Sequence, residues 1–258
     1  MGQRNASLFH YRELSFRMPR FSMYIPFPAD KTAVTPESCV AFDLGDKASK
    51  LCDWINFSFN ITFEKSAEEP LSAVFQSLRD DTTLNISLTK SNVKIHTNSM
   101  ELAGDLVQDL ADFAGATEIQ STASFPADMQ ELAQVVAKVD EHNATRLALA
   151  ADSAELSGRV KDAIVRAEDC RLLGQLGQMR ETYTRVMNLN QELMAEHQKR
   201  YNNQQALLGA LKEVNHMIQK AARLRVGSSK TAVITACRDA VKSNQIALVL
   251  KIIQSGKA

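Results

Sequence analysis

Proline is scarce in this chain and confined to its first half: there are six in 258 residues, the last at Pro126. The remaining 132 residues, 127 to 258, therefore contain no ring that would break a helix. Long apolar runs are missing as well. None reaches the roughly 18 to 20 uncharged residues that span a bilayer. Over the first 30 residues, Arg4, Arg12, Arg17 and Arg20 sit among aromatics, where a signal sequence would be continuously apolar. Both absences point to a cytosolic chain, in which the Asn-x-Ser/Thr triplets at Asn5, Asn56, Asn60, Asn85 and Asn143 have no secretory meaning.

Cysteine is scarce too. Cys39, Cys52, Cys170 and Cys237 form no Cys-x-x-Cys pair, which supports neither a zinc knuckle nor a disulfide framework. The five histidines, His10, His96, His142, His197 and His216, never approach ligand spacing. A phosphate-binding glycine loop, a nucleophile elbow and a His-Glu-x-x-His motif are all lacking. The expectation is a protein that is not an enzyme, with no catalytic residue, cofactor or metal assigned.

Net charge is zero but unevenly spread. Residues 1–126 hold 11 basic and 16 acidic side chains, whereas residues 199–258 hold 11 basic against only Glu213 and Asp239. Lys212, Lys220, Arg223, Arg225, Lys230, Arg238 and Lys242 are the cations that could meet an acidic partner or anionic lipid headgroups. Nucleic acid is the weakest partner for this tail, which lacks stacking aromatics and a recognised reading motif.

Along the chain, residues 1–30 alternate aromatic and basic side chains up to Pro26 and Pro28, the pattern of a last strand before a linker. A domain boundary is placed near residue 30. Cys39 to Leu44 forms a short apolar run, and Ala48 to Phe59, with Leu51, Trp54, Ile55, Phe57 and Phe59, reads as a helix leading into a strand. Leu84 to Leu88 and Val93 to Ile95 alternate about a turn at Ser91-Asn92, the clearest hairpin signal. Ser99 and Gly115 bracket an amphipathic helix through Leu102, Leu106, Leu110 and Phe113, and Glu118 to Phe125 returns to the sheet. The fold class predicted is α+β: a small α/β platform over 31–126, a long helical region over 127–227, as an arm or hairpin, and a short terminal helix over 228–258.

Gly158, Gly174 and Gly177 mark bends or breaks, and from about Gln178 to Arg225 the pattern sustains one rod of about 70 Å. Its seam has two rows seven residues apart. One runs Leu176, Tyr183, Asn190, His197, Gln204, Leu211 and Ile218; the other runs Met179, Val186, Leu193, Arg200, Leu207, Val214 and Ala221. Such a seam buries itself against another helix, either of a partner or of the same chain. Asn190, His197, Arg200 and Gln204 place polar groups mid-seam, a device that fixes register and partner choice. Met187, Met194, Tyr201 and Leu208 rotate the apolar face sideways at that level. The expected packing face is Tyr183, Val186, Leu193, Tyr201, Leu207, Leu211, Val214 and Ile218, with Arg223 and Arg225 as charged contacts.

Several segments also carry a resemblance. YNNQQALLGALKEVNHMIQKAARLRVG at 201–227, VITACRDAVKSNQI at 233–246, RAEDCRLL at 166–173, ELAGDLVQDLADF at 101–113 and MPRFSMY at 18–24 are similar, in order, to the C-terminal end of the Bardet-Biedl syndrome 2 family of BBSome subunits. That resemblance implies a non-enzymatic scaffold subunit of a coat-like complex that moves membrane proteins to and from cilia. It also implies partners among sibling subunits resembling Bardet-Biedl syndrome proteins 7 and 9. The implied places are the cytoplasm, the cilium or flagellum, its basal body and, peripherally, the ciliary membrane. In the family a β-propeller, a coiled coil and an ear-like β-sandwich precede the platform. The similarity begins at the end of the sandwich, so residues 1–30 would be its remnant and linker. Two other readings stand beside this one: a membrane-surface module that binds acidic lipids through the basic tail, and a homodimeric coiled coil.

Overall fold

Residues 19–27, 35–62, 71–243 and 245–256 are described in the computed structural model of this chain. Period-two alternation builds its sheet. Val40 and Phe42, Ala73 and Phe75, Leu84 and Ile86, and Val93 and Ile95 are buried in pairs two residues apart. Neighbours such as Ser72 and Lys94 face the other way into solvent. The strands are β1 (Tyr24–Pro26), β2 (Cys39–Asp43), β3 (Leu71–Ser77), β4 (Thr83–Thr89), β5 (Asn92–His96) and β6 (Ser121–Ser124). All are antiparallel, in the spatial order β1-β3-β4-β5-β2-β6.

Two helices join the apolar face of this sheet in one core. In α1 (Leu51–Phe59), Leu51, Trp54, Ile55, Ser58 and Phe59 are buried at the three- and four-residue spacing of a helix. The segment expected to lead from helix into strand is helical through Phe59. Phe59 stacks on Phe75 of β3 at 4.3 Å and meets Trp54 edge-on at 5.8 Å. Phe57 turns to the other side of α1, 6.0 Å from Phe113. In α2 (Met100–Ala114), Ser99 Oγ accepts the Leu102 amide and Gly115 closes the C-terminus at φ +68°, as the sequence leads one to expect.

The β4–β5 hairpin turns at Lys90-Ser91, one residue earlier than expected, with Thr89 opposite Asn92 and Lys90 at φ +58°. The sequence reading passed over β3 altogether. The boundary near residue 30 is corrected by the pairing of Tyr24–Pro26 with β3 and by Phe21 in the same core. Residues 19–27 thus belong with the sheet that follows them. The remainder of the strand-like segment, residues 1–18, lies outside the described residues.

Pro126 opens α3 (Pro126–Leu172), where a missing amide costs nothing. After a three-residue connection, 173–175, begins α4 (Leu176–Ala222), and the two 47-residue helices form an antiparallel hairpin. Only Gly174, at φ +70°, lies in the connection; Gly158 and Gly177 sit inside helices and break nothing. The expected single terminal helix is two, α5 (Ser228–Lys242) and α6 (Ile246–Ser255). Met129, Leu132, Val135, Val136 and Val139 of α3 share the platform core with Leu207, Val214 and Ile218 of α4 and with Val233, Val249 and Ile252 beyond it.

Asp109 is the one buried carboxylate of α2, 5% exposed, and accepts the Trp54 indole N–H at 2.7 Å and the Ser58 hydroxyl at 3.0 Å. Asp109→Ala leaves both donors unpaired in the core and is expected to cost about 1–3 kcal/mol. Trp54 is the only tryptophan, so urea unfolding followed by its fluorescence reads the loss directly. An unchanged midpoint would contradict this role for Asp109.

Candidate interaction surface

The route from α4 to α5 runs straight through the platform. Ile119 and Val226 exchange backbone hydrogen bonds, Ser121 Oγ donates to the Leu224 carbonyl at 2.7 Å, and Gln108 Nε2 donates to the carbonyls of Arg223 and Arg225 at 2.8 and 2.9 Å. Gly104 allows this approach, because a Cβ there would lie 3.0 Å from the Arg223 Cβ. The Arg223 guanidinium pairs with Asp105 across the same contact.

Arg225 is fully buried and meets no carboxylate among the described residues. It donates to the carbonyls of Ala221 at the end of α4, Ser121 in β6 and Ile253 in α6, while its Nε has no partner. Gly256, at φ +70°, makes room for it: a Cβ there would lie 2.7 Å from that Nε. Burial pushes the guanidinium well below its ordinary range, to about 10. Of the two arginines expected to meet a partner, Arg225 is therefore an internal clasp of the fold, while Arg223 pairs with Asp105 but keeps its side chain 40% exposed.

Elsewhere in the basic tail, Lys220 lies 3.8 Å from Glu101, Arg238 donates to Asn215 at 3.0 Å and Lys242 pairs with Asp239 at 3.0 Å while staying 78% exposed. Among the described residues no helix is long and apolar enough to cross a membrane, and no three His, Cys, Asp or Glu side chains gather as a metal site.

The hairpin divides the expected packing face in two. Leu207, Val214 and Ile218 are at most 9% exposed and join the core, and Val186 and Leu193 are half-buried further along. Of one expected row, Met179, Val186, Leu193, Leu207, Val214 and Ala221 turn inward, whereas Arg200 stays exposed. Its companion row is not the expected one but Thr182, Leu189, Glu196, Asn203, Ala210 and Met217, each buried or half-buried. Asn203 is held by His142 of α3: its amide donates to the His142 carbonyl at 2.9 Å and its oxygen meets Nδ1 at 3.0 Å. That clasp fixes the hairpin register as a buried polar pair does in a coiled coil.

Tyr183, Tyr201 and Leu211 stay outside, 38%, 52% and 38% exposed. The Tyr183 hydroxyl donates to Glu168, which holds that carboxyl below its ordinary range and leaves the ring at the surface. Met187, Met194 and Leu208, also exposed, continue the same side of α4. At its base, Met129, Leu132, Met217 and Ile253 floor a cavity of about 330 Å³ rimmed by Asp128, Lys212 and His216.

Three family models match the chain in succession: the BBS2 platform domain over residues 15–114, the BBS2 hairpin over 126–223 and the BBS2 C-terminal helix bundle over 229–254. The platform match includes residues 19–27, as does the sheet. The chain is 37% identical over 260 residues to the mouse protein named BBSome complex member BBS2, covering 100% of this chain and 36% of that relative. It is 38% identical over 257 residues to the zebrafish protein of that name and 27% over 265 residues to BBSome complex member bbs-2 of Caenorhabditis elegans. The chain spans 35 to 37% of the length of these relatives.

Two outcomes follow from the geometry. Alanine in place of Leu207 or Ile218 should cost about 2–5 kcal/mol, whereas Tyr201→Ala or Leu211→Ala should stay within about 0.5 kcal/mol, as read by urea denaturation; equal costs on both faces would refute the division. Arg225→Ala strands buried carbonyls and should cost about 3 kcal/mol or more. Because the folded pKa lies below the unfolded one, the buried charge is a constant cost at lower pH and is relieved only as pH rises above about 10. The difference between wild type and Arg225→Ala should therefore stay flat from about pH 6 to 9, and a steep slope there would contradict the assignment.

Proposed function

We propose, for a chain that belongs to the BBS2 family and spans its platform, hairpin and C-terminal helix bundle, that it serves as a non-catalytic scaffold subunit of the BBSome in the traffic of membrane proteins to and from cilia. The observation that carries this is the hairpin itself. Beyond Val139 on α3 and before Leu207 on α4, its buried apolar side chains are few, Ala163, Ala167 and Leu189, and they lie outside the platform core. At about 1.5 Å per residue each helix reaches about 70 Å, and the outer side of α4 keeps Met187, Met194, Tyr201 and Leu208 in solvent. A projecting arm with an unfilled apolar face is a shape for assembly.

In this scheme the platform and terminal helices form the base, and the hairpin reaches sibling subunits, in the first place those resembling Bardet-Biedl syndrome proteins 7 and 9. Residence in the cytoplasm, at the basal body and within the cilium follows from membership of the complex, with contact to membrane made through the assembly. The contact residues within the originally expected set are Tyr183, Tyr201 and Leu211; Ile218 and Val214 serve by holding the arm upright.

The test is affinity purification of the tagged chain from ciliated cells, at moderate salt, with mass spectrometry of what remains bound. Sibling subunits should be recovered with the wild type, and their yield should fall at least several-fold for Tyr201→Asp combined with Leu211→Asp, with thermal stability unchanged. Recovery of the chain alone, in wild type as in the variant, would sink the scaffold reading.

A further inference from the structure

The seam that α3 fills is one of two on α4. Tyr183, Met187, Asn190, Met194, His197, Tyr201, Gln204, Leu208 and Leu211 are spaced alternately four and three residues apart, and all nine are exposed. That is a complete second heptad seam, turned about a quarter of a circle from the first. It spans 29 residues, or about four heptads and about 42 Å of helix. Two adjoining hollows, of about 290 and 320 Å³, open along it. Leu147 of α3, 67% exposed, walls the first together with Ala150, Leu207 and Leu208. His197, Arg200, Tyr201 and Gln204 line the second.

Charge decides what fits there. Arg146 on α3 and Arg200 on α4 both line the groove, no carboxylate does, and neither arginine has an ion pair among the described residues. A second copy would set basic against basic across its own seam. We propose that this outer groove docks an acidic amphipathic α-helix of another protein, which completes a three-helix coiled coil with α3 and α4. Leucine-type side chains of the incoming helix fill the spaces between Leu147, Tyr201 and Leu208. Its flanking glutamates or aspartates meet Arg146 and Arg200, and a polar residue faces Gln204 and His197. The polar mid-seam positions and the paired arginines set register and reject basic helices.

This inference deepens the scaffold reading and rests on it only for the partner's identity; its test needs no sibling subunit. The probes are two synthetic 28-residue peptides with the same heptad core, one carrying glutamate and the other lysine at the flanking positions, titrated into the whole purified chain by fluorescence anisotropy. The glutamate peptide should bind at least about ten-fold more tightly than the lysine peptide. Arg146→Glu with Arg200→Glu should reverse that order, and Leu208→Asp should weaken binding about ten-fold or more. Helical content by circular dichroism should be the same in all three proteins. Equal binding of the two peptides, or binding of neither, would overturn the proposal. So would a concentration-dependent dimer of the chain that Tyr201→Asp dissolves, which would give the face to a second copy. Loss of the peptide preference with sibling recovery intact would remove the groove and leave the scaffold reading standing.

Discussion

One guanidinium holds three parts of this chain together. Arg225 sits fully buried with no acid beside it among the described residues, and its N–H groups end on carbonyls of α4, β6 and α6. A charge so placed is expensive to desolvate, and it persists because it satisfies backbone acceptors that no apolar side chain could serve. The segment around it completes the tie. Arg223 to Val226 is threaded between Gln108, Ser121 and Ile119, so the base of the hairpin is fastened to the platform by backbone geometry as well as by apolar packing. A long arm is useful to an assembly only if its root is rigid, and this strap supplies the root.

The arm follows from sparse chemistry. The middle of α3 is rich in alanine, and a helix with short side chains lets its neighbour approach closely; small and polar residues such as Ala210, Thr182 and Asn203 then fill the inner seam of α4. Bulkier residues of α4, including Met187, Met194 and Tyr201, are displaced to the outside, where they form the second seam. The inward face spends its apolar area on closing the hairpin. The outward face keeps its own for a partner.

Much of this could be read from the sequence, and the failures have physical causes. The α4 limits, the Ser99 and Gly115 caps and the β4–β5 hairpin are local signals, and they fell within three residues. One inner row of α4 was legible because Val186, Leu193, Leu207 and Val214 are apolar. Its companion was misread because Tyr183 and Leu211 outscore Thr182, Glu196 and Asn203 in hydrophobicity, although packing against an alanine-rich helix prefers the smaller set. The basic tail misled most. Whether an arginine meets solvent or a buried carbonyl depends on residues 100 positions away, and nothing near Arg225 in the sequence announces Ser121.

The account as a whole claims a rigid base with a free outer arm that a partner covers. Hydrogen exchange measured by mass spectrometry, on the chain alone and in the assembled complex, tests it most directly. Amides of the strap around 219–227 should be equally protected in both states, and those of 183–211 should slow only in the complex. Unchanged exchange over 183–211, with new protection on the open face of the sheet instead, would contradict it.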